Sequence, residues 1–372
     1  MEIVNAEQAE LELGQAILDV HDDPYGFVMI AYPWGEPGTS LERYDGPDVW
    51  QKQFLLDLGE QVKEHAFDGF NPVDPIRMAV ASGHGVGKST LVAWLVDWIM
   101  STRPNCQGTV TANTFPQLET KTWASIQKWT KMCITRHWFE IRSDSTSFKK
   151  RFDSWRVSAQ SSKESNSESF AGQHAADSTS FYFFDEASSI ADKIFEVAFG
   201  GLTDGEPMIF MFGNPTRNTG QFHRACFGSE RRYWKFYPVG SRTSKFSNKQ
   251  LIAEWAETYG EDSDFFRVRI KGEAPRQGMS QFISPEIVSA CRKLVLDLAV
   301  YNTLPKILSV DVARYGDDKS VAGLRQGRKF VVKGKWRGKD TVEVANLVIE
   351  IIEAENPDAV IVDGDGLGAG VV

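Results

Sequence analysis

The stretch Ser82-Gly83-His84-Gly85-Val86-Gly87-Lys88-Ser89-Thr90 constrains this chain more than any other. Before it, Ile76 to Ala81 is short, apolar and β-compatible, and after it Leu91 to Val96 continues as an apolar helix. Strand, glycine loop and helix in that order make a phosphate-binding loop. Glycines at 83, 85 and 87 leave backbone N–H groups free to wrap an anion, with no Cβ in the way. The helix that opens at Lys88 turns its positive end toward the same anion. Lys88 is placed to reach the β- and γ-phosphates, and the Ser89 hydroxyl to complete the shell of a Mg²⁺. The usual first glycine is Ser82 here, a residue that still permits a tight turn. The expectation is a nucleoside triphosphate site built from Ser82 to Thr90.

Composition narrows the class. At 372 residues, two domains are the natural expectation, each large enough for a core. Apolar residues make up 42% and charged residues 24%, the balance of an ordinary globular chain. No long uncharged run suggests a membrane span, and the acidic N-terminal text has no signal-peptide pattern. Four scattered cysteines, with no C-x-x-C pair, point to a reducing compartment without structural zinc or disulfides. A net charge of −9 argues against wholesale wrapping by nucleic acid but leaves room for a local basic groove.

Upstream of the loop, Glu7 to Asp19 reads as a helix, Pro33 to Gly38 as turns, and Pro47-Asp48 as the start of a helix through Val62. In that helix Trp50 and Gln51 have two readings. The indole and amide grip a nucleotide base, or the tryptophan is a core residue at a helix start. Downstream, Gly108 to Ala112 is a short strand, and Asn113 to Gln117 breaks it and leads into a helix containing Trp123 and Trp129. Residues 147–162 read as an exposed hairpin or loop, whose Lys149-Lys150-Arg151 is a DNA-contact candidate or a solvated charge run.

Phe181-Tyr182-Phe183-Phe184-Asp185-Glu186 is the second strong signal. Four consecutive aromatics cannot alternate between core and water, so they predict a strand buried on both faces of a parallel sheet. Two acids then stand at its carboxyl end, where open α/β sheets place ligands. Asp185 is the candidate Mg²⁺ carboxylate, and Glu186 the group that polarises the attacking water. Another buried strand, Pro207 to Phe212, ends in Gly213-Asn214-Pro215-Thr216-Arg217. Asn214 is expected to sense the γ-phosphate, and Arg217 is a candidate to act on a neighbouring subunit's phosphate.

These motifs in this order resemble the large terminase subunit of tailed bacteriophages, over nearly the whole chain. That family packages double-stranded DNA into empty capsids with an ASCE-type ATPase joined to a nuclease. The resemblance implies ATP and Mg²⁺ as ligands, and double-stranded DNA, a small terminase subunit and the portal protein of a procapsid as partners. It also implies a homo-oligomeric (pentameric) ring and residence in the cytoplasm of the infected bacterium, with no membrane association. Family members often carry an arginine inside the phosphate loop, where this chain has His84 and Val86.

Three segments are therefore expected: a P-loop ATPase domain over 1–240, a linker or lead-in over 241–304 with helical stretches at Lys249–Thr258 and Pro285–Leu296, and a nuclease domain over 305–372. In the last, Lys306 to Ala313 is a strand carrying Asp311, followed by the Arg314 to Ser320 loop, two antiparallel strands, a helix, and a strand Ala359 to Val362 ending on Asp363. That walk fits a partial RNase H-like α/β fold, as the terminase resemblance also implies. Asp311 and Asp363 would share a Mg²⁺ or Mn²⁺, although a two-metal site needs further carboxylates and the remaining family ligand normally lies beyond this text. Gly364, Gly366 and Ala369 form a loose dinucleotide fingerprint, a rival reading of the same segment. A helicase-like or repair DNA-dependent ATPase would share only the first half. A nucleotide-dependent capsid-port scaffold would have no use for a water-polarising Glu186.

Overall fold

The computed structural model describes residues 6–162, 170, 175, 177–276, 291–313, 318–363 and 370–371. The chain divides into two compact units, Met1–Ser284 and Pro285–Val372. Among the described residues no helix is long and apolar enough to cross a membrane.

The first unit is built on strands β1 (Ile76–Ser82), β2 (Gln107–Ala112), β3 (Phe139–Ile141), β4 (Ser145–Phe148), β5 (Arg156–Ser161), β6 (Ser180–Phe184), β7 (Met208–Gly213) and β8 (Lys235–Val239). They lie in the order β3-β4-β5-β2-β6-β7-β1-β8. From β5 to β8 every pairing is parallel, and β3 and β4 add an antiparallel edge. The run Phe181 to Phe184 explains why β6 is central. Phe181 and Phe183 enter one core with Met78, Val80, Phe210 and Phe212. Tyr182 and Phe184 enter the other with Ala79, Ala81, Ile209 and Met211. Both faces are thus covered, and each buried large side chain contributes on the order of 1.5–3 kcal/mol of transfer free energy. Phe183 and Phe210 stack across neighbouring strands with ring centroids 4.7 Å apart.

Two expectations are corrected. Residues 147–162 do form a hairpin, but not an exposed one: β4 pairs with β5, β5 pairs with β2 inside the sheet, Val157 is fully buried, and the turn bearing Lys149-Lys150-Arg151 stands in solvent. Val157 is read into the core by its parallel pairing with Gly108, a long-range register invisible to local pattern. Residues 241–276 are not a loose lead-in either. The helix Lys249–Tyr259 and the π-helical turn Arg267–Lys271 form a small core from Ile252, Phe266 and Ile270 within the first unit. Part of the predicted Pro285–Leu296 helix, the Arg314 to Asp317 part of the predicted loop and the Gly364-Gly366-Ala369 fingerprint lie outside the described residues.

The second unit is a smaller sheet of β9 (Lys306–Asp311), β10 (Ser320–Gln326), β11 (Lys329–Trp336) and β12 (Ala359–Val362), ordered β11-β10-β9-β12. β12 runs parallel to β9 while the other pairs are antiparallel. The helix Thr341–Glu355, started by an Asp340/Glu343 capping box, buries Val344 and Val348 against Leu308, Val310 and Ala322.

Candidate phosphate-loop site

The loop leaves the end of β1 and turns into the helix Lys88–Thr102. Gly85 and Gly87 take φ of +69° and +87°, the left-handed region that glycine enters without steric cost. Gly83 is needed for another reason. A Cβ there would stand 2.2 Å from Ser241 Oγ and 2.5 Å from the Ile270 carbonyl oxygen. Two loop amides are already spent, Gly83 N–H on Val239 O at 2.9 Å and His84 N–H on Arg269 O at 2.7 Å. Among the described residues no bond is seen from the amides of Gly85, Val86 or Gly87, and those of the first helical turn have no intrahelical acceptor. The open donors therefore lie on the side of the helix N-terminus, where an anion fits.

Lys88 folds over the loop, its Nζ donating to Ser82 Oγ at 2.8 Å and to the Gly83 carbonyl at 3.3 Å. Burial pushes its ammonium pKa down, and the nearby Asp185 and Glu186 pull it back up. The charge thus sits where removal from water makes a phosphate partner most favourable.

Strand order brings the other predicted residues here. β7 lies between β1 and β6, so Asn214, just past β7, neighbours both the loop and the acids. Its Nδ2 donates to the Ser82 carbonyl at 2.6 Å. Asp185 is buried and tightly held: its own N–H bonds Thr111 O at 2.8 Å, the Glu186 N–H donates to its Oδ1 at 2.9 Å, and the Thr122 hydroxyl donates to Oδ2. Glu186 has φ +51°, an uncommon conformation for a non-glycine residue, and its carboxylate lies 3.6 Å from Lys121 Nζ. Such strain is found where geometry matters more than local comfort.

Thr122 and Lys121 escaped the sequence reading. Both lie in the π-helical turn Leu118–Trp123, whose wider winding no local periodicity announces. The Trp50 and Gln51 expectation changes as well. Trp50 Nε1 donates to Val86 O at 3.0 Å and Gln51 Nε2 to Gly87 O at 3.0 Å. Gln51 Oε1 accepts the Asp48 N–H at 2.9 Å as half of a capping box. Both ends of this fully buried amide are hydrogen-bonded, so here the pair braces the loop. A cavity of about 240 Å³ lies beside Thr90, walled by Trp34, Tyr44, Trp94, Trp129 and Phe246 with Lys128 at its side. The buried Trp94 indole N–H has no hydrogen-bond partner among the described residues. Arg217 is exposed, and the loop that carries it is tied by its backbone N–H to Ser188 Oγ at 3.2 Å.

In the second unit Val362 pairs with Val310, and the Asp363 N–H bonds Val310 O at 2.9 Å. Asp311 and Asp363 are therefore neighbours at the ends of adjacent parallel strands, on an open cavity also lined by Phe330 and Ile361. Among the described residues no group of three or more His, Cys, Asp or Glu side chains is placed to hold a metal ion. The pair alone does not make a two-metal site.

No protein-family model matches the chain. The probable terminase large subunit of Enterobacteria phage P7 is 26% identical over 363 residues, covering 89% of this chain and 70% of that protein. The crystal structure of the HK97 bacteriophage large terminase shares the fold with a TM-score of 0.50 at 12% identity, over 91% of this chain and 79% of that one. One strand between the loop strand and the acidic strand, with an acid pair beside the loop, defines the first unit as an ASCE-type P-loop ATPase fold. A second, separate sheet follows it, as in the solved terminase. In that architecture the chain is similar to the solved HK97 large terminase, and in sequence, over most of its length, to the probable terminase large subunit of phage P7.

Proposed function

We propose that this chain hydrolyses ATP to drive double-stranded DNA into a viral procapsid, and that its second unit carries the associated DNA-cutting site. The observation behind this reading is the meeting of three strand ends at one loop: Lys88 after β1, Asp185-Glu186 after β6 and Asn214 after β7. Lys88 offers its charge to the β- and γ-phosphates when it leaves Ser82. Glu186 orients and polarises the attacking water, and Asn214, bonded to Ser82, relays the state of the γ-phosphate to the loop. The residues fit a Mg²⁺, with the Ser89 hydroxyl and the clamped Asp185 carboxylate as its holders; when bound, the ion neutralises phosphate charge. The base lies against Tyr44 and Phe246 in the aromatic cavity, while Trp50 and Gln51 hold the loop's shape.

Similarity to terminase large subunits supports a small subunit, a portal and a ring of copies as partners, with exposed Arg217 the candidate to act across a subunit boundary. Lys149-Lys150-Arg151, at a solvated turn, is the candidate DNA contact. In the second unit Asp311 and Asp363 are the proposed carboxylates for a Mg²⁺- or Mn²⁺-dependent cut.

ATPase turnover with and without double-stranded DNA tests the reading. Lys88→Ala should weaken nucleotide binding and abolish turnover. Glu186→Gln should bind ATP normally but hydrolyse it slower by on the order of 10²-fold or more, the range for a lost general base. Normal turnover by Glu186→Gln, or indifference of the wild type to DNA, would remove the basis for the assignment.

A further inference from the structure

The rim of the phosphate loop carries a cation that belongs to none of its motifs. Arg269 lies in the π-helical turn Arg267–Lys271, far from the loop in sequence but joined to it through the backbone. The His84 N–H bonds Arg269 O at 2.7 Å, and the Ser241 N–H bonds Ile270 O at 2.7 Å. The Ser241 hydroxyl in turn donates to His84 O at 2.7 Å. Contact is so close that a Cβ on Gly272 would stand 2.7 Å from Ser82 Cα. The main chain of this turn therefore keeps a fixed distance from the loop, and so does the root of the Arg269 side chain.

The side chain is exposed, unlike the backbone that carries it. Its guanidinium rests over the Phe265 ring at 5.1 Å, and Nη1 lies 3.3 Å from His84 Nε2. Neighbouring cations are matched with acids: Arg267 with Glu273 at 2.9 Å, Lys271 with Asp262 at 3.9 Å and Arg242 with Glu261 at 2.6 Å. Arg269 has no carboxylate partner among the described residues. Its acceptor is an imidazole, whose pKa is brought down to about 4 by burial and by the charges of Lys88, Arg269 and Lys121. At neutral pH His84 is thus an uncharged acceptor among three cations. Lys88 and Lys121 have the Asp185 and Glu186 carboxylates nearby, whereas Arg269 has the neutral imidazole, so an anion on the open N–H donors would give its charge a partner.

We propose that Arg269 contacts the terminal phosphate of the bound nucleoside triphosphate in cis, with His84 holding its guanidinium at the rim of the loop. This rests on the phosphate-loop reading above. The exchange is favourable because an arginine–phosphate bond is charge-assisted and bidentate, whereas the bond to a neutral imidazole is neither. A nucleoside diphosphate lacks the group that Arg269 addresses, so the residue favours triphosphate over diphosphate. A guanidinium fixed beside the γ-phosphate also stabilises charge that develops during its transfer.

The test uses the full chain, with ADP and the slowly hydrolysed analogue ATPγS as probes, alongside steady-state kcat and KM for ATP. Arg269→Met keeps an apolar stem over Phe265 and removes the charge. It should weaken ATPγS binding by about tenfold or more, as expected for a lost charged hydrogen bond. ADP affinity should stay within about twofold, because the α- and β-phosphate donors are intact. kcat should fall by on the order of 10²-fold, the cost of one preorganised donor. Arg269→Lys should recover most of the ATPγS affinity but less of kcat, since it returns the charge without the fork. Equal losses of ADP and ATPγS in Arg269→Met, or wild-type values for both, would overturn the proposal. Lys88→Ala separates the two levels of inference. If that variant binds nucleotide as tightly as wild type, the phosphate-loop reading itself fails; if it binds more weakly while Arg269→Met behaves as wild type, only the role of Arg269 is lost.

Discussion

At the scale of the residue, Asp97 is a carboxylic acid enclosed in an apolar wall. It lies on the helix that follows the phosphate loop, almost wholly buried, and accepts the Tyr32 hydroxyl at 2.7 Å and the Thr130 hydroxyl at 2.6 Å. Burial raises its pKa from 3.8 to about 7, and the two hydroxyl donors offset only part of that. A folded pKa above the unfolded one means that the folded state binds the proton more tightly. The resulting stabilisation is full below about pH 4, declines as pH rises and is gone above about 7. The displacement corresponds to at most ~4 kcal/mol. Asp97→Asn, which cannot ionise, should remove this slope. Urea melts at pH 4.5, 6 and 8 should show wild type losing stability relative to the variant as pH rises. A wild-type-minus-variant difference that stays constant with pH would mean that Asp97 is not the titrating group.

At the scale of the element, the phosphate loop is held from three directions. The helix Val49–His65 bonds it through Trp50 and Gln51, Asn214 from the end of β7 bonds Ser82, and the 267–272 segment seats against residues 82–84. Gly83 is the narrowest point of that last contact. Gly83→Ala must push Ser241 and the Ile270 carbonyl outward, and overpacking of this kind typically costs about 1–3 kcal/mol. Because the Ser241 hydroxyl donates to His84 O and the Ile270 carbonyl accepts the Ser241 N–H, nucleotide affinity should fall together with melting temperature. An alanine variant of unchanged stability and affinity would show that the seat is looser than its distances state.

At the scale of the whole molecule, the two units have very different cores. Among the described residues the first joins two large apolar clusters across an eight-stranded sheet, whereas the second gathers six buried apolar side chains around four strands. Phe330, Val332 and Ile361 of the smaller sheet stay largely exposed. A core of that size offsets less chain entropy, so its unfolding should be a separate, lower-temperature event. Scanning calorimetry should resolve two transitions. Saturating ATPγS should raise only the larger one, by the linkage term for ligand that binds the folded state, about 2.7 kcal/mol at a hundredfold excess over Kd. A single transition shifted as a whole by nucleotide would contradict independent unfolding.

What the sequence determined by itself is the chemistry that depends on neighbours along the chain. Strand, glycines, Lys88 and helix are contiguous, and so are the four aromatics and the acid pair of β6; local sterics and burial suffice to specify them. The β-β-β-α-β walk and the adjacency of Asp311 and Asp363 were legible for the same reason, since short connections leave few topologies. Tertiary structure decided everything that depends on who lies across a gap. Gln51 looked free to hold a base until its two ends met Gly87 and Asp48. The hairpin at 147–162 looked solvated until β5 paired with β2. Thr122 and Arg269 carry no local signal, for a π-helical turn has no periodicity of its own and a hydrogen bond across 185 positions leaves no trace in spacing. Segments of similar composition can pack against many partners, and only the folded chain selects which backbone carbonyl each polar side chain meets.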